Sequence, residues 1–168
     1  MWWSEAPRIV VAVAALGLSA CGFEPLYAPG GPAAAIDGRV EVAVIESAAG
    51  FALRERLVDR LGQPAAPTHR LYVELALEQT GVAITGSDVT TRFDVVGAAT
   101  YRLAPIGSDA AVLTGETEAV TAYSAPSSAT TSTFAVLSAQ RDAEERLALL
   151  LADRIAQRIA VDAPAWAQ

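Results

Sequence analysis

The chain has 168 residues, of which 52 % are hydrophobic and only 7 % aromatic, and its net charge is −7. An acidic chain with a pI near 4.6 lacks the basic footprint that nucleic-acid binding requires, and because all 12 basic residues are arginine, lysine chemistry of the Schiff-base, P-loop and kinase kinds is excluded. With 1 histidine and 1 cysteine, no multi-His or multi-Cys metal site can be assembled within the chain, and the composition argues against an enzyme before any motif is read.

In chain order, Met1 to Arg8 is polar or aromatic, and Ile9 to Leu18 is an unbroken apolar or small run. Ten such residues rise about 15 Å as a helix. A membrane span needs about 20 residues, so this run is too short to anchor and fits the core of a signal peptide. Ser19, Ala20 and Cys21 follow. The quartet Leu18-Ser19-Ala20-Cys21 resembles a bacterial lipoprotein lipobox. That resemblance implies that the Cys21 sulfur takes a diacylglyceryl group, that a peptidase reading Leu18, Ser19 and Ala20 cuts before Cys21, and that the new amino group is acylated. No cofactor is expected besides this covalent diacylglyceryl and N-acyl lipid. Each buried methylene of the acyl chains contributes about 0.8 kcal/mol, so several chains anchor the protein durably. Gly22, where inner-membrane lipoproteins often carry aspartate, implies export to the outer membrane.

Residues 1–20 are thus assigned as signal peptide and 21–37 as a lipidated, extended tether, since Gly22 to Asp37 holds three prolines and the pair Gly30-Gly31. From residue 38 the pattern turns regular. Val40, Val42 and Val44 alternate with Arg39, Glu41 and Ala43, which predicts a strand. Phe51 to Leu61 places Leu53, Leu57, Val58 and Leu61 on one side of an amphipathic helix, with Gly62 set to cap it. Arg70 to Glu78 alternates cleanly, Gly81 and Gly86 mark a connection, and Val89 to Leu103 is a long strand with a bend expected near Gly97. Pro105 to Asp109 reads as a turn and Ala110 to Ser124 as the fourth strand. Ser124 to Thr133, almost all Ser, Thr, Ala and Pro, reads as a flexible connection. Phe134 to Ala160 is helical, with an apolar stripe of Val136, Ala143, Leu147, Leu150, Leu151, Ile155 and Ile159. Arg141 with Glu145 and Asp142 with Arg146 are i,i+4 pairs on its polar faces. The fold predicted is α+β: a single mixed four-stranded sheet with two helices on one face, in the order β-α-β-β-β-α, over residues 38–162, followed by a tail at 163–168.

At this point the chain resembles the lipopolysaccharide-assembly lipoprotein family LptE. Two segments carry the likeness: Cys21-Gly22-Phe23 leading to Pro25-Leu26-Tyr27, and the helix that opens Phe134-Ala135-Val136-Leu137-Ser138-Ala139-Gln140-Arg141 and continues through Leu151-Ala152-Asp153-Arg154-Ile155 to Arg158-Ile159. The resemblance implies a non-enzymatic lipoprotein at the periplasmic face of the outer membrane. It implies a plug inside the β-barrel LptD, supporting barrel assembly and the transport of lipopolysaccharide to the cell surface. Two rivals are an auxiliary lipoprotein of another envelope transport system and an anchored hydrolase of envelope polymers, the latter needing a catalytic constellation that the sequence does not display.

On the sheet face away from the helices, Ala43, Ile45, Tyr72, Ala76, Val96 and Ala98 are expected among charges, a pattern that marks partner surfaces. Arg92 and Arg102 share the polar face of the long strand. Arginine forks suit the phosphates and carboxylates of lipopolysaccharide, while Asp94, Glu74 and Glu78 are the ordinary partners they would otherwise take. His69 reads as a surface histidine. Ser127 and Ser128 lack an identifiable base, and Glu144 and Glu145 diverge on their helix. Trp166 packs locally or contacts a membrane or a partner, a choice the sequence leaves open.

Overall fold

The computed structural model describes residue 28 and residues 30–84, 90–125 and 132–167. The elements run α1 (Pro32–Ile36), β1 (Val40–Val42), α2 (Ala48–Leu61), β2 (His69–Ile84), β3 (Thr90–Pro105), β4 (Leu113–Ser124), α3 (Thr133–Val161) and α4 (Ala163–Trp166). The strands form one four-stranded sheet in the order β1-β2-β3-β4. β1 runs parallel to β2, and the other neighbours are antiparallel. The α+β architecture with a single mixed sheet is as the alternation predicts. The long helices α2 and α3 pack on each other, and α3 lies against β3 and β4.

Local chemistry fixes the helix ends. The Ser47 hydroxyl accepts the Gly50 N–H at 2.9 Å and Ser132 accepts that of Ala135 at 3.2 Å, each satisfying a donor that the first helical turn leaves open. Gly62 ends α2 with φ +82, where a side chain would strike Asp37. The core lies between the helices and the sheet face carrying Val40, Val42, Leu71, Val73, Val95, Ala99, Tyr101 and Leu103. Leu53, Leu57 and Leu61 of α2 meet it, with Leu147, Leu151, Ile155 and Ile159 of α3. None of the buried residues among those described is polar or charged.

Three details differ from the sequence expectation. Ile45, assigned to the open face, is buried, and Val44, assigned to the strand's apolar face, is 82 % exposed. The strand ends at Val42; the Ala43 N–H makes the last bond to Leu71 at 2.9 Å, and the turn toward α2 reverses the alternation. Leu150, assigned to the apolar stripe, is 45 % exposed. Ala148, Ala152, Ala156 and Ala160 are all buried, and at 100° per residue they swing the buried arc away from Leu150. Gly97, where a bend is expected, lies inside both ladders, paired with Leu77 and with Ala119. Its missing side chain admits α3, since a Cβ there would lie 2.8 Å from Leu147 Cδ2. Finally, β2 runs past the connection expected at Gly81, with register shifts between Gly81 and Ala83 and between Ala83 and Ile84. These mark a bulge rather than the end of the strand.

The segments read as tether and tail also contribute to the fold. Ile36 in α1 and Ala163 and Trp166 in α4 are buried. Arg39 joins them, its Nη1 donating to the carbonyls of Ala35 at 3.3 Å and Ala167 at 3.2 Å. Both segments are too short for periodicity to reveal a buried side.

Candidate functional site: the open face of the sheet

In antiparallel strands successive side chains alternate faces. Odd-numbered residues of β3 enter the core, so even-numbered ones form the opposite face. The register sets Ala76 beside Ala98 and Tyr72 beside Arg102, and Val96 beside Val120. A lane of Ala76, Ala98, Val96 and Val120 therefore crosses the sheet, and Tyr72 stands beyond Glu74 on the same face. Val120 is 58 % and Tyr72 37 % exposed. Glu74, Glu78, Glu116 and Glu118 flank the lane on the same face, where neighbouring charges keep an apolar lane soluble. Ala43, Val44, Tyr72, Glu74, Thr100 and Arg102 border a groove of about 390 Å³ at the β1 side.

Arg102 is the one cation lining that groove. Its guanidinium carbon sits 4.2 Å from the centroid of the Tyr72 ring, a cation–π contact that orients the fork without consuming its N–H donors. Among the described residues no carboxylate lies within ion-pair distance of it. Arg92 is placed otherwise: its Nε is 3.9 Å from Asp94 Oδ1 and its side chain is 60 % exposed. The two arginines share a face but are ten residues apart on one strand, about 33 Å. The structure does not bring them together. Of the partners expected for them, Asp94 is found beside Arg92, and Tyr72 takes the place of Glu74 or Glu78 beside Arg102.

Next to the groove, Arg70 donates from Nε and Nη2 to Glu41 Oε2 at 3.1 and 2.9 Å. Hydrogen bonding to Glu41, and then to Tyr72, raises the Arg70 pKa further. This ties β1 to β2 at the rim.

The remaining residues singled out in the sequence have structural surroundings. His69 Nδ1 is 2.9 Å from Thr68 Oγ1, and its ring meets Trp166 edge-on at 4.9 Å. Burial, and next the charge of Arg39, lowers its pKa. The Trp166 indole donates to the Ile159 carbonyl at 3.3 Å, so its contact is local. Glu144 accepts from Gln140 at 2.8 Å, and Glu145 is exposed. Asp142 pairs with Arg146 as expected, whereas Arg141 and Glu145 form no ion pair among the described residues. Ser127, Ser128 and the lipidation segment Leu18, Ser19, Ala20 and Cys21 lie outside the described residues. Among those described, no cluster of three His, Cys, Asp or Glu could hold a metal, and no helix is long and apolar enough to cross a membrane.

Two arrangements escaped the sequence reading. Asp153 bridges α3 to α2, accepting from Arg56 Nε at 2.9 Å and Arg60 Nε at 2.7 Å. The Gln79 amide donates to the Tyr123 hydroxyl at 2.5 Å, and Tyr123 stacks on Phe93 at 5.3 Å. Charge alternation hints at the first; the second depends on strand register alone.

The sequence model of the LptE family, described as lipopolysaccharide-assembly, matches residues 38–159. Among solved structures, a lipoprotein of Caulobacter crescentus CB15 is 22 % identical, with a TM-score of 0.63 over 80 % of this chain and 97 % of that one. Lipoprotein B of Nitrosomonas europaea is 13 % identical, with a TM-score of 0.53 over 75 % of this chain and 83 % of that one. Rare lipoprotein B of Shewanella oneidensis is 17 % identical, with a TM-score of 0.50 over 73 % and 92 %. These structures share the fold. No curated protein matches the chain.

Proposed function

The chain belongs to the LptE lipopolysaccharide-assembly family, and from that premise we propose that it is an outer-membrane lipoprotein acting as the plug of an LptD-type β-barrel. In this reading it is held on the periplasmic face by lipid on Cys21. It supports assembly of the barrel and passage of lipopolysaccharide to the cell surface, and it catalyses no reaction. A role in lipopolysaccharide assembly follows from the family itself.

The observation that carries the plug reading is the asymmetry of the sheet. One face is closed by α2 and α3, while the other presents an apolar lane among carboxylates, with Val120 58 % exposed. Such a face suits a largely polar partner wall with apolar spots, as the inner wall of a barrel offers. The lipidation reading is supported by the placement of Cys21 directly after Leu18-Ser19-Ala20 and a ten-residue apolar run. Of the two arginines considered for lipopolysaccharide, the proposal favours Arg102. It lines a groove, it is oriented by Tyr72, and its donors meet no carboxylate among the described residues, whereas Arg92 has Asp94 beside it.

The test is extraction of the tagged chain from its own outer membrane in mild detergent, with mass identification of what copurifies. A stoichiometric large β-barrel is the expected result. An inner-membrane transporter in its place would overturn the plug and assign the chain to a different envelope transport system.

A further inference from the structure

The chain presents two sheet edges to solvent, and both are touched by arginines from the helical layer. On β4 the pairing with β3 fixes which main-chain groups are free. The Ile106 N–H bonds to the Thr68 carbonyl, so even-numbered residues of β3 bond to β2 and odd-numbered ones to β4. By the β3–β4 register, the even-numbered residues of β4 then aim their N–H and C=O groups outward. Two of those outward carbonyls are occupied. Arg146 Nη2 donates to the Ala122 carbonyl at 3.2 Å, and Arg154 Nη1 donates to the Glu118 carbonyl.

The spacing makes this possible. Eight residues of helix advance about 12 Å and four residues of strand about 13 Å, so Arg146 and Arg154 keep step with Ala122 and Glu118 as α3 runs along β4. Leu150 stands midway on the same line and, 45 % exposed, overlooks the edge between them. Asp142 pairs with Arg146 from one turn away and steadies its fork.

The other edge is guarded at β1 alone: β1 pairs with β2 only at His69, Arg70 and Leu71, so among the described residues β2 borders no strand on that side from Tyr72 onward. The β1–β2 ladder uses the Arg39 carbonyl and the Ala43 N–H, which leaves the Val42 carbonyl pointing outward. Arg54 Nε of α2 donates to it at 3.2 Å. β1 is also only 3 residues long.

A free edge is a template for strand addition. In water an arginine contact to a carbonyl adds little stability, yet it sets a bulky charged group where an incoming strand would have to lie. We propose that Arg54, Arg146 and Arg154 are edge guards that keep a second copy of this chain from pairing with β1 or β4. Lysine commonly serves on such edges; in a chain without lysine, arginines of the covering helices take the position. The guards leave the open face and the β2 edge beyond Leu71 as the sheet's free surfaces, and they do not depend on which partner occupies them.

The test uses the full chain extracted in detergent, with its mass followed by light scattering across a concentration series. The wild-type chain is expected to keep the mass of one copy. The double substitution R146A/R154A is expected to double that mass as concentration rises, even though it makes an acidic chain more acidic. Hydrogen exchange should then slow at the outward amides of Val120 and Ala122. R146K/R154K, which retains charge and donors, and R141A, on the same helix without an edge contact, should behave as wild type. The proposal is overturned if R146A/R154A has the wild-type circular dichroism and remains single, or if it associates without slowed exchange in β4. Should that variant fail to fold, R54A tests the same idea at β1, where doubling with slowed exchange at Val42 supports it and an unchanged mass overturns it.

Discussion

At the scale of single residues, Asp153 shows how charge can join elements that sequence keeps apart. Its carboxylate lies between Arg56 and Arg60. Hydrogen bonds from Arg56 and then Arg60, working against burial, hold its pKa below the usual carboxylate value. A group whose folded pKa is depressed stabilises the fold above its unfolded pKa, and that contribution is lost as pH falls through the folded value. Asp153 is about a third exposed, so screening by solvent keeps the effect to about 1 kcal/mol or less. D153N is therefore expected to lower the urea midpoint at pH 7 and to converge on wild type below about pH 4. Urea titrations of both proteins from pH 3 to pH 7 check this, and a gap that persists unchanged at pH 3 would count against the assignment. His69 acts in the same direction in a different window. Its lowered pKa means that the folded state favours the neutral ring, so stability declines as pH drops below about 6.5.

At the scale of elements, the short helices α1 and α4 matter more than their length suggests. Trp166 is 8 % exposed and Ile36 1 %. Trp166 is held by the Ile159 carbonyl and by the edge of His69, and Arg39 clasps the main chain on either side. Truncating a buried tryptophan removes a large apolar contact and costs about 3–5 kcal/mol. W166A is expected to lower the melting temperature by well over 5 °C for a domain of this size, measured by circular dichroism. A shift of under 2 °C would show that α4 is dispensable. The pattern of α3 is governed by the same physics. Its alanines allow close approach to the sheet, and Gly97 receives Leu147, which would have to shift if a Cβ stood there. The helix can therefore lie near enough to β4 for its arginines to reach the edge.

At the scale of the whole molecule, the helical layer covers one sheet face and touches β1 and β4, leaving one broad face and the β2 edge beyond Leu71 for a partner. Membership of the lipopolysaccharide-assembly family gives that face a setting, and the proposed anchor at Cys21 gives the molecule an address. C21A is expected to leave an unprocessed, mislocalised precursor that takes up no labelled palmitate. Continued uptake of label by the substituted protein would refute lipidation at that residue.

What the sequence determined by itself is what depends on local order. Strand alternation, the amphipathic stripe of α2, the Gly62 stop and the lipobox-like quartet are all properties of neighbours along the chain, and hydropathy with period 2 or 3.6 reads them directly. The mixed four-stranded sheet followed from the order of those elements. Tertiary structure alone decided what depends on register and on approach between elements. Tyr72 orients Arg102 because β2 and β3 pair in one register and no other. Arg92 and Arg102 share a strand face yet stand about 33 Å apart along it. Ile45 turns inward and Leu150 outward because a chain reversal and four alanines redirect them. Arg54, Arg146 and Arg154 find carbonyls that no periodicity could nominate, since a free edge exists only once the sheet has formed and the helices have come to lie beside it.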